Sequence, residues 1–428
     1  MSIVYVVAPS ASGDSLYYSI ESPFANASIL SKYKDIEYIR RKMENSFFVT
    51  DFRIAQLNPD ETVNRFIPNE DIVLDSGSYS ENYQNGQRRS LSFQLINNNG
   101  KYTPSINTIW SNTKFSLEAG IHFIEDRISV WFKKGVYVVT RLNPSQSAEG
   151  KTVSIETGDK FVLLSGRAGT MDSTTEIDVN TPIKQLINEI LQTNNKGGYV
   201  LDSIPFIYHS SFEGKKTPLK LSLTAGQTWG DILLQLADIL SAEVFYDCAG
   251  HLNYIPYTEV DSDNHKGSMW HYIDTEGDYT SLAFSFDMES LVNHVIVIGA
   301  NVNGHTCRGE ALNNDAASPI NVHRIGDRIG SVINDSNITT DFLAQERADY
   351  ELRKSLVLQT SVPLEVPFNP FITVNNIITL SNKFYNISRE RFVVKSVSFP
   401  LSFTPNVSLE VSNIQNLSFT QGRMGDAN

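Results

Sequence analysis

The stretch Asn82-Tyr83-Gln84-Asn85-Gly86-Gln87-Arg88-Arg89-Ser90-Leu91-Ser92-Phe93-Gln94-Leu95-Ile96 decides the fold class. Leu91, Phe93 and Leu95 alternate with Ser90, Ser92 and Gln94. That two-residue period is the mark of a strand with one apolar and one wet face. Asn85-Gly86 suits a type I′ turn, whose two central residues both need φ > 0. The reading is a hairpin over about 78–96. Its exposed turn is the first candidate for contact with a partner.

Similar signals lie on either side. Phe47 to Leu57 is rich in β-branched and aromatic residues. Ile128 to Phe132 and Val136 to Arg141 flank Lys133-Lys134-Gly135 and read as a second hairpin. Thr152 to Thr157 adds a strand. Residues 46–160 therefore read as one antiparallel β domain, a barrel or sandwich, preceded by an N-terminal extension over 1–45.

Beyond Gly166 the period changes. Thr181-Pro182 reads as a helix start, a capping hydroxyl followed by proline at the first helical position. Ile183, Leu186, Ile187, Ile190 and Leu191 then form one apolar stripe, ended by Asn194 to Gly198. A second helix starts at Thr228, with Asp231 near the positive end of its dipole and Trp229, Ile232, Leu233, Leu236 and Leu240 on its buried face. Val244 to Tyr246, a turn over Asp247 to Gly250, and Leu252 to Tyr257 make a hairpin. Residues 161–260 read as a small α+β module inserted into a mainly β chain. Asp261 to Asp278 reads as a polar loop, Val292 to Ile298 as a strand and Thr340 to Leu356 as an amphipathic helix. Ile377 to Leu380, Phe392 to Phe399 and Val407 to Val411 are further strands. Residues 261–428 are thus a second β domain, interrupted by a loop and helix at about 310–356.

The 428 residues carry 35 Lys+Arg against 48 Asp+Glu, a net charge of −13. Such a chain repels nucleic acid over most of its surface, which argues against a sequence reader or a nuclease with a basic track. The two cysteines, Cys248 and Cys307, belong to no CxxC or Cys/His metal pattern and suggest a reducing compartment. The apolar run Ile3 to Ala8 lacks a basic leader, so no signal peptide is expected. No stretch approaches the ~18 apolar residues of a membrane span.

Chemistry is equally sparse. The eight histidines make no HExxH and no zinc set. Asp261, Asp263, His265 and His271 cluster in sequence, but Lys266 stands where an EF-hand loop needs glycine and Tyr272 where it needs glutamate. No nucleophile elbow, P-loop or GxGxxG occurs. Cys248 has His251 three residues away across one turn, poor geometry for a thiol nucleophile. The expectation is a non-enzyme with no catalytic, metal or cofactor residues.

Four segments carry a resemblance. They are Asn82 to Arg89 leading to Asn99-Gly100-Lys101-Tyr102-Thr103-Pro104 and Trp110 to Phe115; Lys134-Gly135-Val136-Tyr137-Val138-Val139-Thr140; Thr181-Pro182-Ile183 with Thr228 to Leu233 and Ala242 to Asp247; and Val292 to Gly299 with Ser318-Pro319-Ile320 and Arg324-Ile325-Gly326. In this order the chain resembles the central hub proteins of bacteriophage tails and baseplates, including the N-terminal hub module of siphophage tail-associated lysins. The resemblance implies two tail-tube-like antiparallel β-barrel domains plus the small α+β module. It implies a homotrimer whose six tube-like domains match a sixfold tube, capping the tube and connecting it to the distal tip or spike. The partners implied are the tail tube protein, distal tail or other baseplate proteins, and a tape-measure or spike protein. DNA would pass through the lumen without specific binding, and no membrane anchor is involved. The place implied is the virion, after assembly in the bacterial host cytoplasm. Lysin relatives append a cell-wall hydrolase, for which the chain leaves no room between Val411 and Asn428. The competing readings are a tail-associated wall hydrolase with a hidden carboxylate pair and a carbohydrate-binding receptor module.

Overall fold

In the computed structural model, Arg89–Ile96 is the strand its period predicts. Leu91, Phe93 and Leu95 are buried, while Ser90, Ser92 and Gln94 stay half-buried. The structure describes residues 2–413 apart from 10–14, 23–26, 149, 194–199, 219, 241, 257–269, 274–277, 284, 287–288, 290, 303, 317, 319, 331, 336–337, 359, 386 and 403–404. Two units emerge. The first is Met1–Tyr257 with Glu365–Asn375 and Ser396–Ser408, and the second is Thr258–Leu364 with Asn376–Lys395 and Leu409–Asn428.

The first unit begins with nine strands: β1 (Ser2–Pro9), β2 (Ser15–Ser22), β3 (Phe48–Leu57), β4 (Val63–Phe66), β5 (Ser78–Asn82), β6 (Arg89–Ile96), β7 (Lys114–Phe123), β8 (Ile128–Ser147) and β9 (Gly150–Asp159). Every pairing among them is antiparallel. One run is β1-β2-β8-β7-β3-β4; the far half of β8 continues to β9, β6 and β5. Ser396–Pro400 pairs with β5. Aromatic rings fill the inner face: Tyr18 lies 5.4 Å from Phe132 and Phe93 lies 5.2 Å from Phe115. The irregular segment 368–375 is buried in the same unit, with Phe371 against Phe132 and Phe368 against Phe52.

Three local expectations are corrected. Gly86 has φ 86°, but Asn85 is not left-handed, so the connection from β5 to β6 is not a type I′ turn. It is a longer loop, closed by the Asn82 amide on the Arg88 carbonyl at 2.9 Å. Lys133-Lys134-Gly135 is not a turn either. It lies inside β8, where Glu118 faces Lys133 and Leu117 faces Gly135, leaving Lys134 as a bulge residue. Gly135 at φ 150° permits the kink, and the buried Lys134 ammonium donates to the Pro370 carbonyl at 2.7 Å. Proline, not threonine, occupies the cap before the helix Ile183–Leu191, because the Thr181 hydroxyl donates to the Asp178 carbonyl instead.

Short helices α1 (Ala27–Lys32) and α2 (Ile36–Asn45) precede β3, and α3 (Phe161–Ser165) follows β9. Then come β10 (Thr175–Ile177), α4 (Ile183–Leu191), β11 (Ile207–Tyr208), β12 (Leu221–Leu223), α5 (Trp229–Leu240), β13 (Ala242–Tyr246) and β14 (Leu252–Pro256). The apolar stripe of α4 is wholly buried. At α5, Thr228 and Asp231 cap each other reciprocally, side chain to amide, at 2.9 and 3.2 Å. Both helices bury their stripes in a core shared with Val244, Tyr246, Leu252 and Tyr254. This is the expected α+β insertion.

The second unit holds β15 (Trp270–Ile273), β16 (Ser281–Leu282), β17 (Ser285–Phe286), β18 (His294–Val302), β19 (His305–Leu312), α6 (Val322–Ile325), β20 (Ile333–Asn334), α7 (Asp341–Leu358), β21 (Thr360–Pro367), β22 (Ile377–Asn382), β23 (Ile387–Pro400) and β24 (Asn406–Asn413); the last residues of β21 and β23 and the first of β24 belong to the first unit. β18 sits between β19 and β20. Ala344, Ala348 and Leu352 of α7 pack on Val295, Val297 and Ala311. The expected polar loop Asp261 to Asp278 lies mostly outside the described residues. Among the described residues, no helix is long and apolar enough to cross a membrane.

Candidate functional site

Cys248 and Cys307 are buried thiols. His251 turns to Asp247, with Nδ1 3.3 Å from Oδ2. That hydrogen bond raises the His251 pKa; burial pushes Asp247 up, but His251 outweighs it and the carboxyl lies below its usual range. His271 bonds Thr379, and His294 stands between Asp327 and Glu310. Asp261, Asp263 and His265 fall outside the described residues. Among the described residues, no group of three His, Cys, Asp or Glu side chains is placed to hold a metal ion.

What the fold does concentrate is a buried ionic seam between the strands of 46–160 and the α+β module. Lys160, the residue after β9, is fully buried. Its ammonium donates to Glu61 Oε1 at 2.7 Å, Asp202 Oδ1 at 2.9 Å and the Gly250 carbonyl at 2.8 Å. Glu61 also accepts from Lys114 at 2.6 Å, and Asp202 from the Tyr246 hydroxyl at 2.8 Å. The two ammonium groups thus balance two carboxylates. A second node joins Arg88 to Glu243 at 2.8 Å, with the guanidinium 3.7 Å from the Phe245 ring centroid. Arg89 pairs with Glu81 at 2.5 Å and donates to the Tyr246 carbonyl. Each partner desolvates the other, so each pair holds because opposite charges and hydrogen bonds meet at short range.

The Asn85-Gly86 loop belongs to this seam. The Gly86 amide donates to the Val244 carbonyl at 2.8 Å, and the Val244 amide donates to Asn85 Oδ1 at 3.1 Å. The loop thereby adds a short parallel rung beside β13. It was expected to be an exposed contact for a partner; instead Gly86 is buried and the loop is spent on an internal junction.

Asp159 anchors the seam from below. One carboxylate oxygen accepts the Arg88 and Arg89 amides at 2.7 and 3.0 Å, and the other accepts the Phe161 amide at 3.0 Å. Burial pushes its pKa up to about 6 despite those amides. A carboxyl whose pKa rises on folding binds its proton more tightly when folded. Its contribution to stability therefore falls as pH climbs through the window from its ordinary 3.8 to about 6. In Asp159→Asn that dependence disappears. The stability difference between the two proteins, measured by urea unfolding from pH 4 to 7, is expected to change by about 2 kcal/mol. A difference that stays flat with pH would show that Asp159 is not the titrating group.

No family model and no curated protein sequence matches the chain. Solved structures do. The 43 kDa tail protein of prophage MuSo2 from Shewanella oneidensis aligns with TM-score 0.54 at 12% identity, over 86% of this chain and 100% of that one. The tail protein from Neisseria meningitidis MC58 gives 0.55 at 11% identity, over 85% and 97%. Prophage tail protein gp18 from Listeria monocytogenes gives 0.50 at 15% identity, over 84% and 94%. The chain has the tail-protein fold. At such identities the likeness is one of fold, and it bears out the mainly β architecture and the resemblance drawn from the four segments. Asn82 to Arg89 and Ala242 to Asp247 are the two sides of the seam. Lys160, Glu61 and Asp202 lie outside every quoted segment, and no local period marks them. The only signal available was a lysine directly after an acidic strand end, Asp159-Lys160, leading into an apolar helix.

Proposed function

We propose that the chain is a structural hub of a bacteriophage tail tip or baseplate. Three copies form a ring that caps and continues the tail tube and connects it to the distal tip or spike. Residues 46–160 and 261–428 supply two tube-like domains, 161–260 is the inserted module, and 1–45 precedes the first domain. Six tube-like domains per ring then meet the sixfold symmetry of a tube. The neighbours are the tube protein, distal tail or baseplate proteins, and a tape-measure or spike protein. The ring sits in the virion after assembly in the host cytoplasm, and its role is structural rather than enzymatic.

The observation that carries the reading is coverage. The likeness to tail proteins runs over most of this chain and nearly the full length of theirs. The ionic seam fits the role, since a module locked to its strands transmits load without hinging. The net charge of −13 favours a lumen that repels passing DNA. The test is the mass in solution. Sedimentation of the purified chain is expected to give three times 47.9 kDa. A chain that stays at the mass of one copy at high concentration overturns the ring.

A further inference from the structure

The ionic seam carries a charge balance that can be counted residue by residue. Its fixed cations are Lys114, Lys160, Arg88 and Arg89, and they meet Glu61, Asp202, Glu243 and Glu81. These eight groups cancel. Three further titratable groups of the same junction, Asp247, His251 and Asp159, stand outside that balance.

Asp247 and His251 lie on the turn between β13 and β14. Asp247 is buried, and its Oδ1 accepts the Ala249 and His251 amides at 2.9 and 2.8 Å. Its Oδ2 lies 3.3 Å from His251 Nδ1 and accepts from the Tyr17 hydroxyl of β2 at 3.3 Å. The same turn presents the Gly250 carbonyl to Lys160. One turn of the module thus grips both β2 and the residue after β9. On the other side of the seam, Asp159 holds the Arg88, Arg89 and Phe161 amides.

Protons decide whether these three groups are balanced. With His251 protonated, the imidazolium answers Asp247. With Asp159 protonated, that carboxyl carries no charge, and the seam is neutral. When both protons leave, Asp247 and Asp159 are two surplus carboxylates in a buried junction. No cation is left over for them. Arg89, whose charge reaches Asp159, is already paired with Glu81. Around His251, Lys160 opposes the added charge and Glu61 favours it, and those two also pair with each other. The Tyr17 ring, 6.2 Å away, and the Tyr137 and Tyr246 hydroxyls, which feel Asp159, supply no charge. Unpaired buried charge is relieved by admitting water, and here that means parting the module from the strands.

We infer that the junction between the strands of 46–160 and the α+β module is a proton-controlled latch, closed while His251 and Asp159 hold their protons and opened by local separation when both are lost. The direction of each titration agrees. The hydrogen bond to Asp247 raises His251 above 6.5, and burial raises Asp159 from 3.8 to about 6. A group raised on folding stabilises at low pH and loses that contribution as pH climbs, Asp159 between 3.8 and about 6 and His251 above 6.5. Asp247, held below 3.8, acts only in stronger acid. The latch lies within one chain, so the mass that tests the ring does not bear on it.

Hydrogen exchange of the full chain at pH 5 and pH 8, corrected for the intrinsic rate, reads the latch. The Gly86 amide on the Val244 carbonyl and the Val244 amide on Asn85 cross the seam. Both are expected to lose about tenfold or more of their protection at pH 8, while the ladder between β6 and β9 keeps its own. His251→Gln leaves Asp247 unanswered at every pH and is expected to show the loosened exchange already at pH 5. The triple variant Asp159→Asn/Asp247→Asn/His251→Gln, with its fold checked by circular dichroism, is expected to show equal protection at the two pH values. Equal protection at pH 5 and pH 8 in the unaltered chain would overturn the latch. So would a pH-dependent loss that survives in the triple variant, or a loss at pH 8 that spreads equally over β6 and β9, since the opening would then be global.

Discussion

Lys160→Met is expected to lower the free energy of unfolding of the first unit by about 3–5 kcal/mol. The ammonium is fully buried and neutralises Glu61 and Asp202 at 2.7 and 2.9 Å. Removing it leaves two carboxylates facing one remaining cation, Lys114, at 2.6 Å from Glu61. A buried charge without a partner is far more damaging than the loss of the whole set, because the set as a whole was already balanced. The Gly250 carbonyl loses its donor as well. Urea unfolding followed by fluorescence measures the effect. Adding Asp202→Asn to Lys160→Met removes the surplus charge and should recover part of the loss. A drop below about 1 kcal/mol would show that the site is wet enough to solvate the carboxylates without Lys160.

Gly309→Ala is expected to destabilise the second unit by about 3 kcal/mol. Gly309 lies in β19, under α7, and a Cβ there would fall 2.2 Å from the Ala344 carbonyl carbon and oxygen. The obstacle is helix backbone, so no side-chain rotation relieves it. The helix must lift away from Val295, Val297 and Ala311, and those contacts are lost together. Thermal unfolding of the second unit reports the change. Gly304→Ala, in the turn between β18 and β19 with open space around it, separates steric from conformational effects. It should show only the milder strain of its φ of 87°. Equal losses in the two variants would remove the close approach as the cause.

The same comparison of backbone with side chain explains the expectations that failed. Lys133-Lys134-Gly135 has the composition of a turn. Deciding between a turn and a bulge required knowing that β7 runs alongside on both halves of β8. β7 does alternate in sequence, Phe115, Leu117, Ala119, Ile121 and Phe123 against Lys114, Ser116, Glu118, Gly120 and His122, although it is buried on both faces. Glu118 is there to meet Arg53, and Gly120 leaves room for the Trp131 ring, which a Cβ would approach to 2.6 Å. The Asn85-Gly86 loop failed for a related reason: a turn motif specifies local dihedral angles, whereas the hydrogen bonds offered by Ala242 and Val244 come from 157 and 159 residues away.

Local chemistry by itself determined the elements whose burial is one-sided. The alternation of β6, the stripe of α4, the reciprocal cap of α5 and the charged helix before β21 all follow from spacing, because a repeating contact with one core imposes a repeating pattern on the chain. Tertiary structure alone decided what has no such repeat. The meeting of Lys160 with Glu61 and Asp202 and the burial of Gly86 against β13 each depend on which distant strands lie side by side. Long-range pairing places single residues once, and a pattern needs repetition to be seen in a sequence.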